Sequence, residues 1–309
     1  MRERILITGG SGCIGQATVR WLRGAGHEDL GGMTRSGEVE GMEGVKGDVS
    51  DRGEVEGVLK RVKPGRVIHL AGWQTPDCEA EPFGGMAVNL GGTDKLVRAM
   101  AGLGGGLERF VFASSAAVYG RRDQYAGATV HEGDLYGPPN LYGYWKVAGE
   151  GMARAFERET GVATVSLRLA TTYGPGRDRG LTAAPTEALK AAARGESYAM
   201  PYDGREHYHF VDDVGAAFGM SAVEAYSGYG VFNLRGVTMA VREFLDVVMA
   251  EARGMGREVA LEVAEGADVF PFVCDLDDEA IVEAFPGMPL TEVAEGVRKS
   301  LGVFGALSD

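Results

Sequence analysis

Tyr142 and Lys146 stand four residues apart in Tyr142-Gly143-Tyr144-Trp145-Lys146, and the chain opens with Thr8-Gly9-Gly10-Ser11-Gly12-Cys13-Ile14-Gly15. On a helix, an i, i+4 spacing puts the phenol and the ammonium on one face, where the positive charge favours the phenolate and equips the tyrosine for general acid/base work. The glycine run follows a short apolar run at 5–8 and precedes Ile14, Ala17, Trp21, Leu22 and Ala25, which recur with helical period. In that strand, turn, helix context Gly9 serves a tight turn, Gly12 lets backbone N–H groups approach a pyrophosphate, and Gly15 lets the helix pack against the strand. With 49 glycines in 309 residues such a run is weak by itself. Its position, its flanking pattern and the distant Tyr/Lys pair together give it meaning.

Both features need a scaffold, and the hydrophobic pattern supplies one. Apolar strand-like runs at 5–8, 45–49, 66–71, 109–113 and 164–169 alternate with helical patterns at 13–25, 54–62, 86–101 and 142–159. That rhythm predicts a parallel sheet covered on both faces with right-handed crossovers. A further strand is read at 27–32, with the polar start His27-Glu28-Asp29. After Tyr173 the rhythm breaks. Helices are expected near 183–194, 212–226, 241–253 and 291–301, with short strands at 231–234 and 259–263. The expectation is a Rossmann-type doubly wound α/β domain over 1–173 and a smaller α+β substrate region over 174–309, of which about 205–240 returns to the large domain.

Composition narrows the partners. Hydrophobic residues make up 45% of the chain, enough for a large core, and 31 Lys and Arg against 44 Asp and Glu give a net charge of −13. No basic cluster breaks that balance, so a nucleic-acid or anionic-membrane surface is not expected and the partner should be a small molecule. Cys13, Cys78 and Cys274 are scattered without CxxC spacing, and no leader-like segment or long apolar run is visible. A reduced cytoplasmic setting is the expectation.

In this order and spacing the chain resembles the extended short-chain dehydrogenase/reductases, often called NAD-dependent epimerase/dehydratases. The resemblance rests on Thr8 to Gly15, Gly47-Asp48-Val49, His69-Leu70-Ala71-Gly72, Val88-Asn89 with Thr93, Ser114-Ser115-Ala116-Ala117-Val118-Tyr119-Gly120, Tyr142 with Lys146, Leu167-Arg168, Tyr173-Gly174-Pro175-Gly176 and Val211-Asp212-Asp213-Val214. It implies that Tyr142 exchanges a proton with a substrate hydroxyl or carbonyl, that Ser115 hydrogen-bonds the same oxygen, and that Lys146 holds the nicotinamide ribose and stabilises the phenolate. The cofactor contacts it implies are Gly9, Gly12, Cys13, Ile14, Gly15, Arg35, Asp48 at the adenine with Val49, Leu70 with Ala71 and Gly72, Asn89, and Lys146. Asp48, followed by Ser50-Asp51, is also placed to cap a helix. The resemblance allows a homodimer through the helices at 86–101 and 142–159.

Departures from the family pattern are as informative. Where NAD-binding relatives end the second strand with a carboxylate, this chain has Gly31-Gly32-Met33-Thr34-Arg35-Ser36, and Arg35 can meet a 2′-phosphate, which tilts the cofactor from NAD toward NADP. Where sugar dehydratases keep two acids it has Ala116 and Ala117, so dehydration by that route is disfavoured. Thr171-Thr172 stands where diphosphate binders keep asparagine, and Arg205 is displaced, which argues against a nucleotide handle. His207 and His209 alternate along an extended segment; without a third ligand they suggest substrate contact or a surface strand and no metal site. His131-Glu132 is read as structural and Cys78 as an inert thiol. The substrate contacts expected are Ser115, Ala116, Thr171, Arg205 and His207.

These observations predict an NAD(P)-dependent oxidoreductase interconverting a secondary alcohol and a ketone on a polar, sugar-like small molecule. The alternative is a sugar or nucleotide-sugar epimerase working through a transient ketone. A third reading is a non-catalytic dinucleotide sensor, disfavoured because Ser115, Tyr142 and Lys146 are all present.

Overall fold

The computed structural model of the chain describes residues 3–270 and 273–306. Its strands are β1 (Ile5–Thr8), β2 (Leu30–Thr34), β3 (Glu43–Lys46), β4 (Arg66–His69), β5 (Arg109–Ser115), β6 (Ala163–Leu169), β7 (Thr171–Tyr173), β8 (Tyr198–Phe210), β9 (Tyr229–Asn233), β10 (Val237–Ala240) and β11 (Leu261–Phe270). Its helices are α1 (Cys13–Gly24), α2 (Arg52–Val62), α3 (Thr75–Ala80), α4 (Pro82–Gly85), α5 (Gly91–Ala101), α6 (Leu141–Thr160), α7 (Ala184–Arg194), α8 (Val211–Val223), α9 (Val241–Gly254), α10 (Glu279–Ala284) and α11 (Val293–Ala306).

Seven strands form one parallel sheet in the order β3-β2-β1-β4-β5-β6-β9. The strand interiors are apolar on both faces because both are covered. Ile5, Ile7, Ile68, Val111 and Val165 face one core layer with α1 and α8, while their neighbours Leu6, Val67, Phe110 and Phe112 face the other with α2, α5 and α6. The order reverses between β1 and β4, so the carboxyl ends of those strands open a crevice at the glycine turn.

The smaller sheet sits beside this one. In it β8 pairs antiparallel with β10 and parallel with β11 and β7. Tyr173, Tyr202, Tyr208 and Phe244 fill its core with α7, α9 and α11. Although β8 lies in the small sheet, the chain then returns through α8 and β9 to the large one.

Three local expectations are corrected. The second strand is Leu30–Thr34, fully buried, and the polar residues 27–29 precede it, so Arg35 is the first residue beyond the strand. The helix expected at 86–101 is a π-helical turn, Met86–Leu90, followed by α5, with two short helices ahead of it. Residues 66–71 leave the ladder after His69.

Candidate active site

Helix α6 begins at an Asn140 cap, whose side-chain oxygen accepts the Gly143 N–H at 2.9 Å. This puts Tyr142 in the first turn and Lys146 one turn later on the sheet-facing side. The helix approaches β5 closely because residue 149 is glycine: a Cβ there would come within 2.3 Å of the Phe112 ring. That approach lets the buried Lys146 ammonium donate to the Ala113 carbonyl at 2.6 Å, while it stands 5.4 Å from the centre of the Tyr142 ring. Two residues beyond Ala113, Ser115 ends β5. Its Oγ accepts the Ala117 N–H at 3.1 Å and donates to the Leu169 carbonyl at 3.4 Å.

Ser115, Tyr142 and Lys146 all line one cavity of about 360 Å³ at the carboxyl ends of the strands. Of the other residues expected at the site, Ile14, Leu70, Gly72, Ala116 and Thr171 line it too. Its described lining contains no Asp, Glu, His or Cys; its charged side chains are Arg121, Lys146 and Arg177. An acidic chain therefore presents cations alone in the described lining of this cavity. Neither arginine stood out in the sequence. The only signal for Arg177 was its place immediately after the Tyr173 to Gly176 turn.

The dinucleotide half is built around α1. Its N-cap, Gly12, brings no side-chain hydrogen bond, and the first turn carries no acid. A Cβ on Gly12 would meet only the Gly9 carbonyl, at 3.4 Å, so the space before the helix N-terminus is left open. A Cβ on Gly15 would come within 2.6 Å of the Gly10 oxygen, which explains the glycine there. An open helix start with unfilled N–H directions fits a pyrophosphate.

Arg35 and Asp48 follow β2 and β3 at the carboxyl edge of the same sheet. Asp48 Oδ1 accepts the Ser50 N–H at 2.8 Å and its hydroxyl at 2.7 Å, and the helix cap is Asp51, whose side chain accepts the Glu54 N–H. Burial raises the Asp48 carboxyl, but the Ser50 donors and the Arg35 charge outweigh it and hold the carboxyl below its ordinary range. Val49 is part of the core beneath.

Asn89, expected among the cofactor contacts, does not line this cavity. Its amide donates to the Trp73 carbonyl at 2.9 Å and accepts the Trp73 N–H at 2.7 Å, so it pins the loop after β4. Asn89 lies in the π-helical turn, and Gly72 and Trp73, in the loop it holds, line the cavity. Ala71 N–H meets the Thr8 hydroxyl at 3.3 Å. Cys78 is fully buried behind Asn89, and burial pushes its thiol up to about 11.

Arg205 and His207 do not line the cavity. Arg205 is exposed and 3.5 Å from Asp275. His207 is buried against the 234–238 turn, its Nδ1 3.0 Å from the Thr238 hydroxyl and its Nε2 3.4 Å from the Leu234 carbonyl. His209 accepts the Ala170 N–H at 2.9 Å and donates to the Arg235 carbonyl at 2.6 Å. Alternation along β8 sends both rings inward, where backbone groups and the Thr238 hydroxyl use their nitrogens. Glu132 accepts the Asn233 N–H at 2.8 Å. The Thr171 hydroxyl is held by the buried Glu206, which also accepts from Tyr208 at 3.0 Å and whose carboxyl burial pushes up.

Among the described residues no cluster of three His, Cys, Asp or Glu could hold a metal, and no helix is long and apolar enough to cross a membrane.

Comparison with known proteins agrees with this layout. A family model described as the NAD dependent epimerase/dehydratase family matches residues 5–234. A UDP-glucose 4-epimerase of Streptomyces lividans is 30% identical over 184 residues, 57% of this chain and 54% of the relative, so the chain spans about half the length of that relative. An NAD-dependent glucose-6-phosphate dehydrogenase of Haloferax volcanii is 29% identical over 187 residues, covering 55% of this chain and 68% of the relative. The fold superposes on a UDP-glucose 4-epimerase of Thermus thermophilus in complex with NAD, with a TM-score of 0.82 at 23% identity over 97% of this chain and 98% of that one.

Proposed function

The chain belongs to the NAD-dependent epimerase/dehydratase family, and from that premise we propose that it is an NAD(P)-dependent oxidoreductase interconverting a secondary alcohol and a ketone on a polar, sugar-like small molecule. The observation that carries the reading is the single cavity shared by Ser115, Tyr142 and Lys146, with no carboxylate, imidazole or thiol in its described lining. A nicotinamide, when bound, supplies the hydride donor or acceptor. The phenol of Tyr142 is the proton donor or acceptor for the substrate oxygen, and the Ser115 hydroxyl hydrogen-bonds that oxygen. Lys146 holds its charge on the Tyr142 side of the cavity, tethered to β5 by the Ala113 carbonyl. One acid/base group suffices for alcohol and ketone exchange, whereas elimination of water needs a second, and Ala116 and Ala117 cannot titrate.

The epimerase reading uses the same three residues and differs only in whether the ketone turns over before it is reduced again. The Streptomyces relative favours it, and the Haloferax relative favours net oxidation. Incubation with NAD or NADP and a panel of free sugars, sugar phosphates and nucleotide sugars separates the two. Accumulation of reduced nicotinamide supports the oxidoreductase, and interconverted epimers without net reduction support the alternative. No conversion of any sugar, with dinucleotide bound, would leave a sensor and overturn both.

A further inference from the structure

We infer that Arg177 is the anion clamp of the cofactor site, holding the pyrophosphate of the bound dinucleotide from the side opposite the glycine turn; the inference rests on the dinucleotide reading above. The residue sits in the loop that follows β7, and that loop touches the start of α1: a Cβ on Gly176 would lie 3.2 Å from the Cys13 Cβ. From there the guanidinium lines the active-site cavity. Its guanidinium also reaches Cys13, a third neutral neighbour: burial raises the thiol, and the Arg177 charge and a side-chain hydrogen bond from Arg177 oppose the rise.

The way Arg177 is held separates it from a structural arginine. Nη1 donates to the Gln74 side-chain oxygen at 3.1 Å and Nη2 to the Thr182 hydroxyl at 3.0 Å. Both partners are neutral, and the buried Nε has no hydrogen-bond partner among the described residues. No described carboxylate lies within ion-pair distance of it, in a chain with 44 of them. The buried Arg168, by contrast, is neutralised by Glu150. A cation that lines the cavity, is held by neutral groups and is carried by a loop that touches an uncapped helix start is complementary to a phosphate-type oxyanion. Arg177 and the first-turn N–H groups of α1 would then grip one pyrophosphate from two sides, and the grip couples the substrate-side loop to cofactor binding.

The test is calorimetric titration of ADP-ribose and of adenosine into wild type, R177A and R177Q, with thermal unfolding of each ligand-free protein to verify folding. ADP-ribose carries the pyrophosphate without the nicotinamide; adenosine carries neither. The expected result is a loss of about 10- to 100-fold in ADP-ribose affinity in both variants, the equivalent of one charge-assisted group, with adenosine unaffected. R177Q keeps hydrogen-bonding capacity toward Gln74 and Thr182, so its loss would report charge and not loop collapse. Unchanged ADP-ribose affinity overturns the clamp. If, in addition, the variants lose affinity for UDP or inorganic phosphate added to the dinucleotide-loaded protein, the anion belongs to the substrate and the assignment to the cofactor is wrong. A wild type that binds no ADP-ribose removes the dinucleotide reading itself, which distinguishes that failure from failure of the clamp alone.

Discussion

Arg168 and Glu150 meet in a two-point ion pair, with Nε to Oε1 and Nη2 to Oε2 both at 2.8 Å, and their side chains are 0% and 2% exposed. The pair ties β6 to α6 one turn beyond Lys146. Glu150 also accepts the Ser114 hydroxyl at 2.5 Å, next to Ser115, and Tyr119 and Tyr136 close the network around the guanidinium. One buried cluster thereby sets the distance between the elements that carry the serine and the tyrosine.

Breaking that cluster should cost stability first. R168M leaves Glu150 buried and unpaired, and a loss of about 3–5 kcal/mol is expected in urea unfolding. The paired replacement of Arg168 and Glu150 by apolar residues should recover much of it. Equal stability of R168M and wild type would show that the pair contributes nothing to the fold.

Y142F tests the chemistry. The ring and its neighbours remain, so ADP-ribose affinity should stay near wild type while turnover on any accepted substrate falls at least about 100-fold. Turnover within a few-fold of wild type would remove Tyr142 from its role.

Arg35 tests cofactor choice. It is exposed directly after β2, and its charge reaches Asp48. Wild type should bind NADP more tightly than NAD, and R35A should lower the ratio of the two affinities by about 10-fold, as expected for one charged contact with a 2′-phosphate. A ratio near one in wild type, or one that R35A leaves alone, contradicts the preference.

Three buried histidines predict acid sensitivity. Burial holds His69 and His209 down to about 3 and His207 to about 4, from 6.5. Lys146 adds to the effect on His69, as His207 does on His209. The unfolded chain takes up protons below pH 6.5 that the folded rings refuse, so this contribution is fully present above 6.5 and is lost as pH falls toward 4 for His207 and toward 3 for His69 and His209. Each ring contributes up to about 1.4 kcal/mol per pH unit. Glu206, Glu132 and Asp213, raised by burial, act in the opposite sense. Unfolding free energies at pH 7.5, 6.5 and 5.5 should therefore fall, and H209Q should flatten the slope by up to one proton. A flat profile in wild type would contradict the neutral buried rings.

Nucleotide-linked hexoses incubated with NAD or NADP should lose no water. Elimination needs a donor for the departing hydroxyl and a base for the adjacent carbon, and the cavity offers neither beside Ala116 and Ala117. A 4-keto-6-deoxy product detected by mass at enzymatic turnover would overturn this argument.

The strand and helix rhythm of the first two thirds, the glycine turn and the Tyr142/Lys146 spacing were legible because they are local: period, turn chemistry and i, i+4 geometry act within a few residues. What joined Ser115 to Tyr142 was readable only through resemblance, since nothing local relates β5 to α6. Tertiary structure alone decided the rest. The Pro- and Gly-containing stretch around 201–204 became the interior of β8 because neighbouring strands supplied its partners. Asn89, in a π-helical turn, meets the Trp73 backbone across 16 residues of chain. His207 and His209 went inward because β8 has a buried face there. Arg168 lies inside an apolar strand, and only the packing of α6 identified its partner as Glu150. Arg177 gave no signal beyond its place after the Tyr173 to Gly176 turn, for the loop that carries it meets the start of α1 from more than 150 residues away. Such pairings are set by how layers close on one another, and no window of sequence contains both partners.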